Sequence, residues 1–281
     1  MPEETASVIG QWTAMAMAWG QNGPPLRPNA EDVGHFQRTV ELWQAHHPHR
    51  PPRPLILGVT PELYRLRWPA GTEVRGIDRT EAMIVQVWPG PRDAAIHADW
   101  LHIPFADASM DLVLCDGGLH LLAHPGEQRT LARKLAAVVA PGGYCVFRLF
   151  VPPDPQETAE AVIADLLAGR IPDLNYLKLR LATAMQPGPA AGVSLDAVWH
   201  LLHALEPDQA ALARRLGWAP EHLAVIDAYR GSPARYHFVD VDTAVALFCT
   251  ATDRAFELQR IDLPEYRLGR QCPTLTFLRT A

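Results

Sequence analysis

Acids, glycines and a tryptophan recur just beyond short apolar runs. Their types suit hydrogen bonding to a ligand with a polyol and a heterocycle. Gly58 follows Leu55-Ile56-Leu57 and precedes Val59 and Thr60. A glycine at a strand exit lets a ligand approach the backbone, and a helix start beyond it offers free N–H groups. Asp78 stands twenty positions later, after the run Glu73–Ile77. A carboxylate there can accept hydrogen bonds from a ribose diol. Asp99-Trp100 follows Ala94–Ala98; the acid can accept from an adenine amino group, and the indole can pack on the ring. Asp116-Gly117-Gly118 follows Asp111–Cys115, with glycines leaving room for a ligand tail. Each feature has a plainer reading as a turn acid, a helix cap or a turn. Four in order at successive strand ends point to one site.

The elements that must hold these residues alternate. Helical periodicity over Asp32–Ala45 puts Val33, Phe36, Val40 and Trp43 in a row, and the proline-rich stretch His47–Pro54 reads as a linker. Leu55–Leu57 is a strand. Thr60 caps a helix with Pro61 at its first position, stopped by Pro69. Glu73–Ile77, Ala94–Ala98, Asp111–Cys115 and Tyr144–Phe150 are strands, with helices at Thr80–Trp88 and Glu127–Val139. Near-continuous apolar strands separated by helices are the mark of parallel βαβ units with both sheet faces covered. Ligands then bind beyond the strands' carboxyl ends, where strand order reverses. After Pro152-Pro153 the chain turns helical. Asp154-Pro155-Gln156-Glu157 is close to a capping box. Further helices are expected at Asp173–Met185, Ser194–Leu205 and Pro220–Tyr229, with Tyr176, Arg180, Trp199 and His203 on nearby faces. Val241–Cys249 is a helix, and Phe256–Leu263 and Thr274–Leu278 are strands.

Composition excludes several classes. With 48% hydrophobic and 20% charged residues, the chain is not disordered, and its net charge of −6 argues against a nucleic-acid coat. No apolar run reaches the roughly 18–20 residues that span a bilayer, and Met1–Glu4 is acidic, unlike the start of a signal peptide. Cys115, Cys145, Cys249 and Cys272 form no CxxC pair, so neither a disulfide framework nor a zinc site is expected and a cytoplasmic setting fits. His46-His47-Pro48-His49 is dense in imidazole but lies in the linker, and no metal is expected there.

Gly76-Ile77-Asp78, Ala98-Asp99-Trp100-Leu101-His102-Ile103-Pro104-Phe105, the segment Ser109–Leu119 and Ala140-Pro141-Gly142-Gly143 resemble the class I S-adenosylmethionine-dependent methyltransferases. The resemblance covers residues 55–150 well and the last forty loosely. It implies a Rossmann-like α/β fold: a mostly parallel seven-stranded sheet, helices on both faces, an antiparallel C-terminal end and an added helical lid. It implies S-adenosylmethionine as cofactor, held by Gly58, Val59, Thr60, Asp78, Arg79, Met83, Asp99, Trp100, Asp116, Gly117 and Gly118. The expected division is a helical cap at 1–50, a cofactor-binding core at 51–152, a helical insertion at 153–239 acting as substrate lid, and the end of the core at 240–281. One motif departs from the family. Its acidic, glycine-rich first loop is here Leu55-Ile56-Leu57-Gly58-Val59-Thr60-Pro61-Glu62, with Ile56 where the acid would be and a single glycine. Asp116 is a candidate replacement for that anchor.

Methyl transfer from a sulfonium needs alignment and exclusion of water more than a catalytic triad. His120 and His124, flanking the strand-four loop, are the candidates for a general base. Arg148, among apolar residues, either pairs with a carboxylate or faces an anionic substrate. The loop Asp116–Leu119 lacks the Asn/Asp-Pro-Pro-Tyr/Phe of amino-directed nucleic-acid enzymes, and no Pro-Cys nucleophile follows it. With the acidic charge, this favours a small-molecule acceptor and neither nucleic acid nor membrane as partner. A non-catalytic S-adenosylmethionine-binding relative and a protein or RNA methyltransferase are the alternatives. A nicotinamide oxidoreductase would require G-x-G-x-x-G after strand one, which is absent.

Overall fold

The computed structural model describes residues 2–219, 223 and 225–280. The chain begins with α1 (Pro2–Met17) and α2 (Ala30–His46) and enters the sheet at β1 (Pro54–Leu57). There follow α3 (Pro61–Tyr64), β2 (Arg75–Asp78), α4 (Glu81–Gln86), β3 (Ala95–His97), β4 (Met110–Asp116), α5 (Gly126–Val138) and β5 (Val139–Arg148). The sheet is then left for α6 (Ala159–Leu167), α7 (Leu174–Ala184), the strand pair β6 (Val193–Ser194) and β7 (Arg235–Tyr236), α8 (Leu195–Leu205) and α9 (Gln209–Leu216). It is rejoined through α10 (Val241–Val245), β8 (Phe256–Asp262) and β9 (Thr274–Arg279).

The sheet has seven strands in the order β3-β2-β1-β4-β5-β9-β8. The first five are parallel; β9 lies antiparallel between β5 and β8. The Rossmann-like methyltransferase architecture expected from the sequence is therefore present. Alternation divides the strand side chains between two cores. Leu55, Leu57, Val113, Cys115, Cys145 and Phe147 pack with Leu131 and Leu135 of α5 and with Phe248. Ile56, Leu112, Leu114 and Val146 pack on the other face with Phe36, Val40 and Trp43 of α2 and with Leu63, Met83 and Ile84. A third core, including Leu166, Leu177, Leu181, Leu195, Leu202 and Phe238, holds the helical region together.

Several local expectations are corrected. The helix after Thr60 ends at Tyr64 rather than near Pro69; Thr60 makes no side-chain cap, and the Trp68 indole N–H donates to the Tyr64 carbonyl at 3.0 Å. Asp154–Glu157 does not cap α6. Gln156 donates to the carbonyls of Thr183 and Gln186 and Glu157 accepts from Arg180, so both side chains hold α7, and Thr158 caps instead. The proline-rich stretch is no free linker: Arg50 and Arg53 both reach Asp111, each at 2.9 Å. Of the helix expected at Pro220–Tyr229, residues 220–222 and 224 lie outside the described residues, and Val225–Tyr229 is a 3-10 turn. Helices α1 and α9 fall inside the expected helical cap and insertion but had no bounds of their own, and no sequence expectation covered the β6–β7 pair. Among the described residues no helix is long and apolar enough to cross a membrane.

Candidate functional site

Strand order reverses between β1 and β4, and the strand exits open there on one cavity of about 1260 Å³, mouth included. All eleven residues expected to hold a cofactor line it. Gly58 sits at φ +91°, a backbone that side chains rarely adopt, and its N–H donates to the Ile77 carbonyl at 2.8 Å. The loop is turned so that Val59 is buried in the core while the Gly58 backbone fronts the cavity. Thr60 lies at the start of the short helix α3.

Asp78 ends β2 with Oδ1 accepting from the Thr80 N–H at 2.8 Å. Burial pushes its carboxyl up to about 6, against the pull of that hydrogen bond and of Arg79. Asp99 caps the 3-10 turn Trp100–His102, its Oδ1 accepting from the Leu101 N–H at 2.8 Å. The Trp100 indole N–H donates to the Ile77 carbonyl at 2.9 Å, which fixes the ring between the exits of β1 and β4. A Cβ on Gly118 would stand 2.8 Å from that ring, and one on Gly117 2.7 Å from Phe150. Both glycines are thus required by close packing around the ring walls. Met83 of α4 and the exposed Arg79 complete this half of the lining.

Asp116 is not a free anchor. Its Oδ1 accepts from Arg148 Nε at 2.5 Å, and Arg148 is wholly buried on β5. Of the two roles expected for Arg148, pairing with a carboxylate is the one observed. The guanidinium also donates to the Pro25 carbonyl at 2.9 Å and lies 3.6 Å from Asp32, whose carboxylate accepts from the Tyr266 hydroxyl and helps box the start of α2. Burial pushes the Asp116 carboxyl up, opposed by Arg148. In the first-strand loop the place of the family's later glycine is held by Glu62, which is paired with Arg27.

The opposite wall comes from the helical region. Trp12 and Met15 of α1, Lys178, Leu179 and Ala182 of α7, and Tyr229, Tyr236 and Phe238 line the same cavity. None of Tyr176, Arg180, Trp199 and His203 does. Arg180 pairs with Glu157 and Asp165, and Trp199 stacks on His203 with its indole N–H on Asp227. His120 does line the cavity. Its ring stacks on Phe238 at 4.9 Å and meets Tyr236 edge-on at 4.8 Å; burial drives its pKa down to about 3. It is therefore a neutral hydrogen-bonding ring and a poor proton acceptor. His124 does not line the cavity, and its Nδ1 is engaged by Gln128 at 2.9 Å. His46 and His47 bond back to the carbonyls of Leu42 and Trp43. Among the described residues, no group of three or more His, Cys, Asp or Glu gathers to hold a metal.

Four cavity residues have buried polar atoms without a protein partner among the described residues: Trp19 Nε1, Asn22 Nδ2, Arg27 Nε and His120 Nδ1. Native interiors leave few such atoms unpaired, so this wall is built for a polar ligand. Together with the turned Gly58, two carboxylates at the ends of β2 and β3 and the fixed indole, the residues fit an adenosyl cofactor.

Residues 57–147 match a family model described as a methyltransferase domain. No curated protein sequence matches the chain. Among solved structures, a Rhodobacter sphaeroides protein proposed to be a Zn-dependent alcohol dehydrogenase is similar with a TM-score of 0.62 and 16% identity, over 97% of this chain and 98% of that one. The PH0226 protein from Pyrococcus horikoshii OT3 is similar with a TM-score of 0.50 and 14% identity, over 94% and 99%. The N-methyltransferase NodS from Bradyrhizobium japonicum WM9, in complex with S-adenosyl-L-homocysteine, is similar at 0.48 and 13%, over 96% and 99%. At these identities the likeness is one of fold.

Proposed function

We propose that the chain, whose residues 57–147 match a methyltransferase domain, is a class I S-adenosylmethionine-dependent enzyme that methylates a small-molecule acceptor enclosed between the sheet edge and the helical region. One observation supports this reading above others: a single cavity runs from Gly58, Asp78 and Asp99 to an aromatic wall of Trp12, Phe150, Tyr236 and Phe238. Pockets of this make, apolar with a few fixed polar groups, suit small ligands rather than a polymer surface.

In this reading Asp78 accepts from the ribose hydroxyls, Asp99 from the adenine amino group, and Trp100 packs on the ring. Gly58, Val59 and Thr60 offer backbone to the cofactor, Gly117 and Gly118 let Phe150 and Trp100 pack close against the strand-four loop, and Met83 and Arg79 border the cofactor. With Asp116 committed to Arg148, the amino-acid end falls to Asn22 and Arg27, whose unpaired atoms front the cavity. The bound cofactor supplies a methyl group already activated by the sulfonium charge. The chain's part is to align the acceptor and keep water out. His120, neutral and bare at Nδ1, accepts a hydrogen bond from the acceptor and orients it.

The test has two arms. Calorimetry with S-adenosylhomocysteine reads the cofactor site directly. Methyl-labelled S-adenosylmethionine is then incubated with the protein and a cell extract separated into small molecules, protein and RNA. Label in the small-molecule fraction is expected. Label confined to protein or RNA overturns the acceptor class, and binding without any transfer favours the non-catalytic relative.

A further inference from the structure

Three cations are buried among the described residues, and two have carboxylates: Arg148 has Asp116 and Asp32, and Arg180 has Glu157 and Asp165. Lys178, between them in sequence, is 4% exposed and has no carboxylate among the described residues. Its Nζ lies 5.4 Å from the centre of the Tyr229 ring, and its side chain lines the cavity. A lysine with a structural role snorkels to water. Here the side chain shares its cavity wall with Leu179, Ala182, Tyr236 and Phe238. Burial draws the Lys178 pKa down only to about 8, so it is mainly an ammonium at neutral pH. A charge in such surroundings is costly unless it is paired.

We propose that the acceptor is a compact apolar or aromatic molecule bearing a carboxylate, and that Lys178 pairs with that carboxylate while the aromatic wall holds the body. This rests on the methyl-transfer reading above and names the chemistry of its acceptor. The geometry separates this anion site from the cofactor's own carboxylate. Arg27, between α1 and α2, pairs with Glu62 beyond the first strand; Lys178 belongs to α7 and faces Tyr229, whose hydroxyl is hydrogen-bonded to that of Tyr236. The Tyr229 face supplies the cation–π contact that shelters the ammonium without neutralising it, leaving its charge for a ligand.

The experiment titrates the S-adenosylhomocysteine-loaded protein with benzoate, phenylacetate, indole-3-acetate and hexanoate, each against its own primary amide. At least one acid should bind about 30-fold or more tightly than its amide, the lower range for a buried charge pair. Lys178→Met should bring acid and amide together while S-adenosylhomocysteine affinity stays unchanged, and Lys178→Arg should restore much of the preference if Met perturbs folding. Amides binding as well as acids, or no acid preferred, overturns the proposal. So does a preference that survives Lys178→Met, or a loss of cofactor affinity in that variant, which assigns Lys178 to the cofactor. If the wild-type chain fails to bind S-adenosylhomocysteine, the methyl-transfer reading falls. The same acid and amide pairs on the unloaded chain then read Lys178 separately.

Discussion

Asp78→Asn should move stability and ligand affinity in opposite directions. The carboxylate pays for its place at the end of β2: burial lifts its pKa from 3.8 to about 6. A pKa raised in the folded state means the native protein binds the proton more tightly than the unfolded chain. Stability is therefore greatest below about pH 4 and falls as pH rises through about 6. The rise corresponds to at most about 3 kcal/mol at neutral pH. Asparagine keeps an oxygen for the Thr80 N–H, seen at 2.8 Å, and carries no charge to desolvate. The variant should be more stable than wild type at pH 7 by about 1–3 kcal/mol, with the difference shrinking towards pH 4. It should also bind S-adenosylhomocysteine more weakly by about 1.5–3 kcal/mol for each charge-assisted hydrogen bond lost. Urea denaturation across pH 4–8 and calorimetry at pH 7.5 measure the two effects. A variant that is less stable at pH 7 yet binds the ligand normally would refute both the cost assigned to the buried carboxylate and its role in the site.

Other perturbations probe neighbouring parts. Gly58→Ala would make only an ordinary van der Waals contact, with Trp100 Cζ2 at 3.7 Å, so strain at φ +91° should cost about 1–3 kcal/mol and turn the loop away from the cofactor; unchanged melting and binding would discount this. Arg148→Met strips the partner from buried Asp116 and Asp32 and should destabilise by about 3–5 kcal/mol, read by chemical denaturation. For Asp111, burial alone would raise the pKa, but hydrogen bonds from Arg53 and Arg50 hold it near 2. Its stabilisation is present above about pH 4 and disappears as pH falls through 2, so Asp111→Ala should cost about 2 kcal/mol at neutral pH and nothing in strong acid.

The sheet was legible because its strands are fully apolar and separated by well-punctuated helices; Leu55–Leu57 and Asp111–Cys115 need both faces covered to make sense. The cofactor half of the cavity was legible for the same reason, since strand ends are short and their next residues are few. The cap half was not. Lys178 follows Leu177 on a helix whose stripe of Leu174, Leu177 and Leu181 implies a wet opposite side, yet α7 is surrounded and nearly every residue of it is buried. No periodicity distinguishes a polar residue that faces solvent from one that faces a cavity. Tyr229 ends a 3-10 turn, Tyr236 ends the two-residue strand β7 and Phe238 lies in irregular chain, elements too short for a sequence pattern to repeat. Helix α1 mixes alanine, methionine and tryptophan without a clean stripe, because it touches both the cap core and the sheet-facing core.

The wall contributed by α1 is tied to the far side of the cavity by long-range bonds. The Ser232 hydroxyl donates to Gln11 across 221 residues, and Gln11 to the Tyr236 hydroxyl across 225. The βαβ units beneath pair neighbours close in sequence. Loop closure makes such distant partners the entropically expensive ones, and the sheet carries the same burden where β5 pairs with β9, Arg148 lying opposite Thr274 across the whole helical region. The cavity wall and the C-terminal edge of the sheet are thus closed by contacts of the same long reach, and both depend on the chain between residues 148 and 274 having folded.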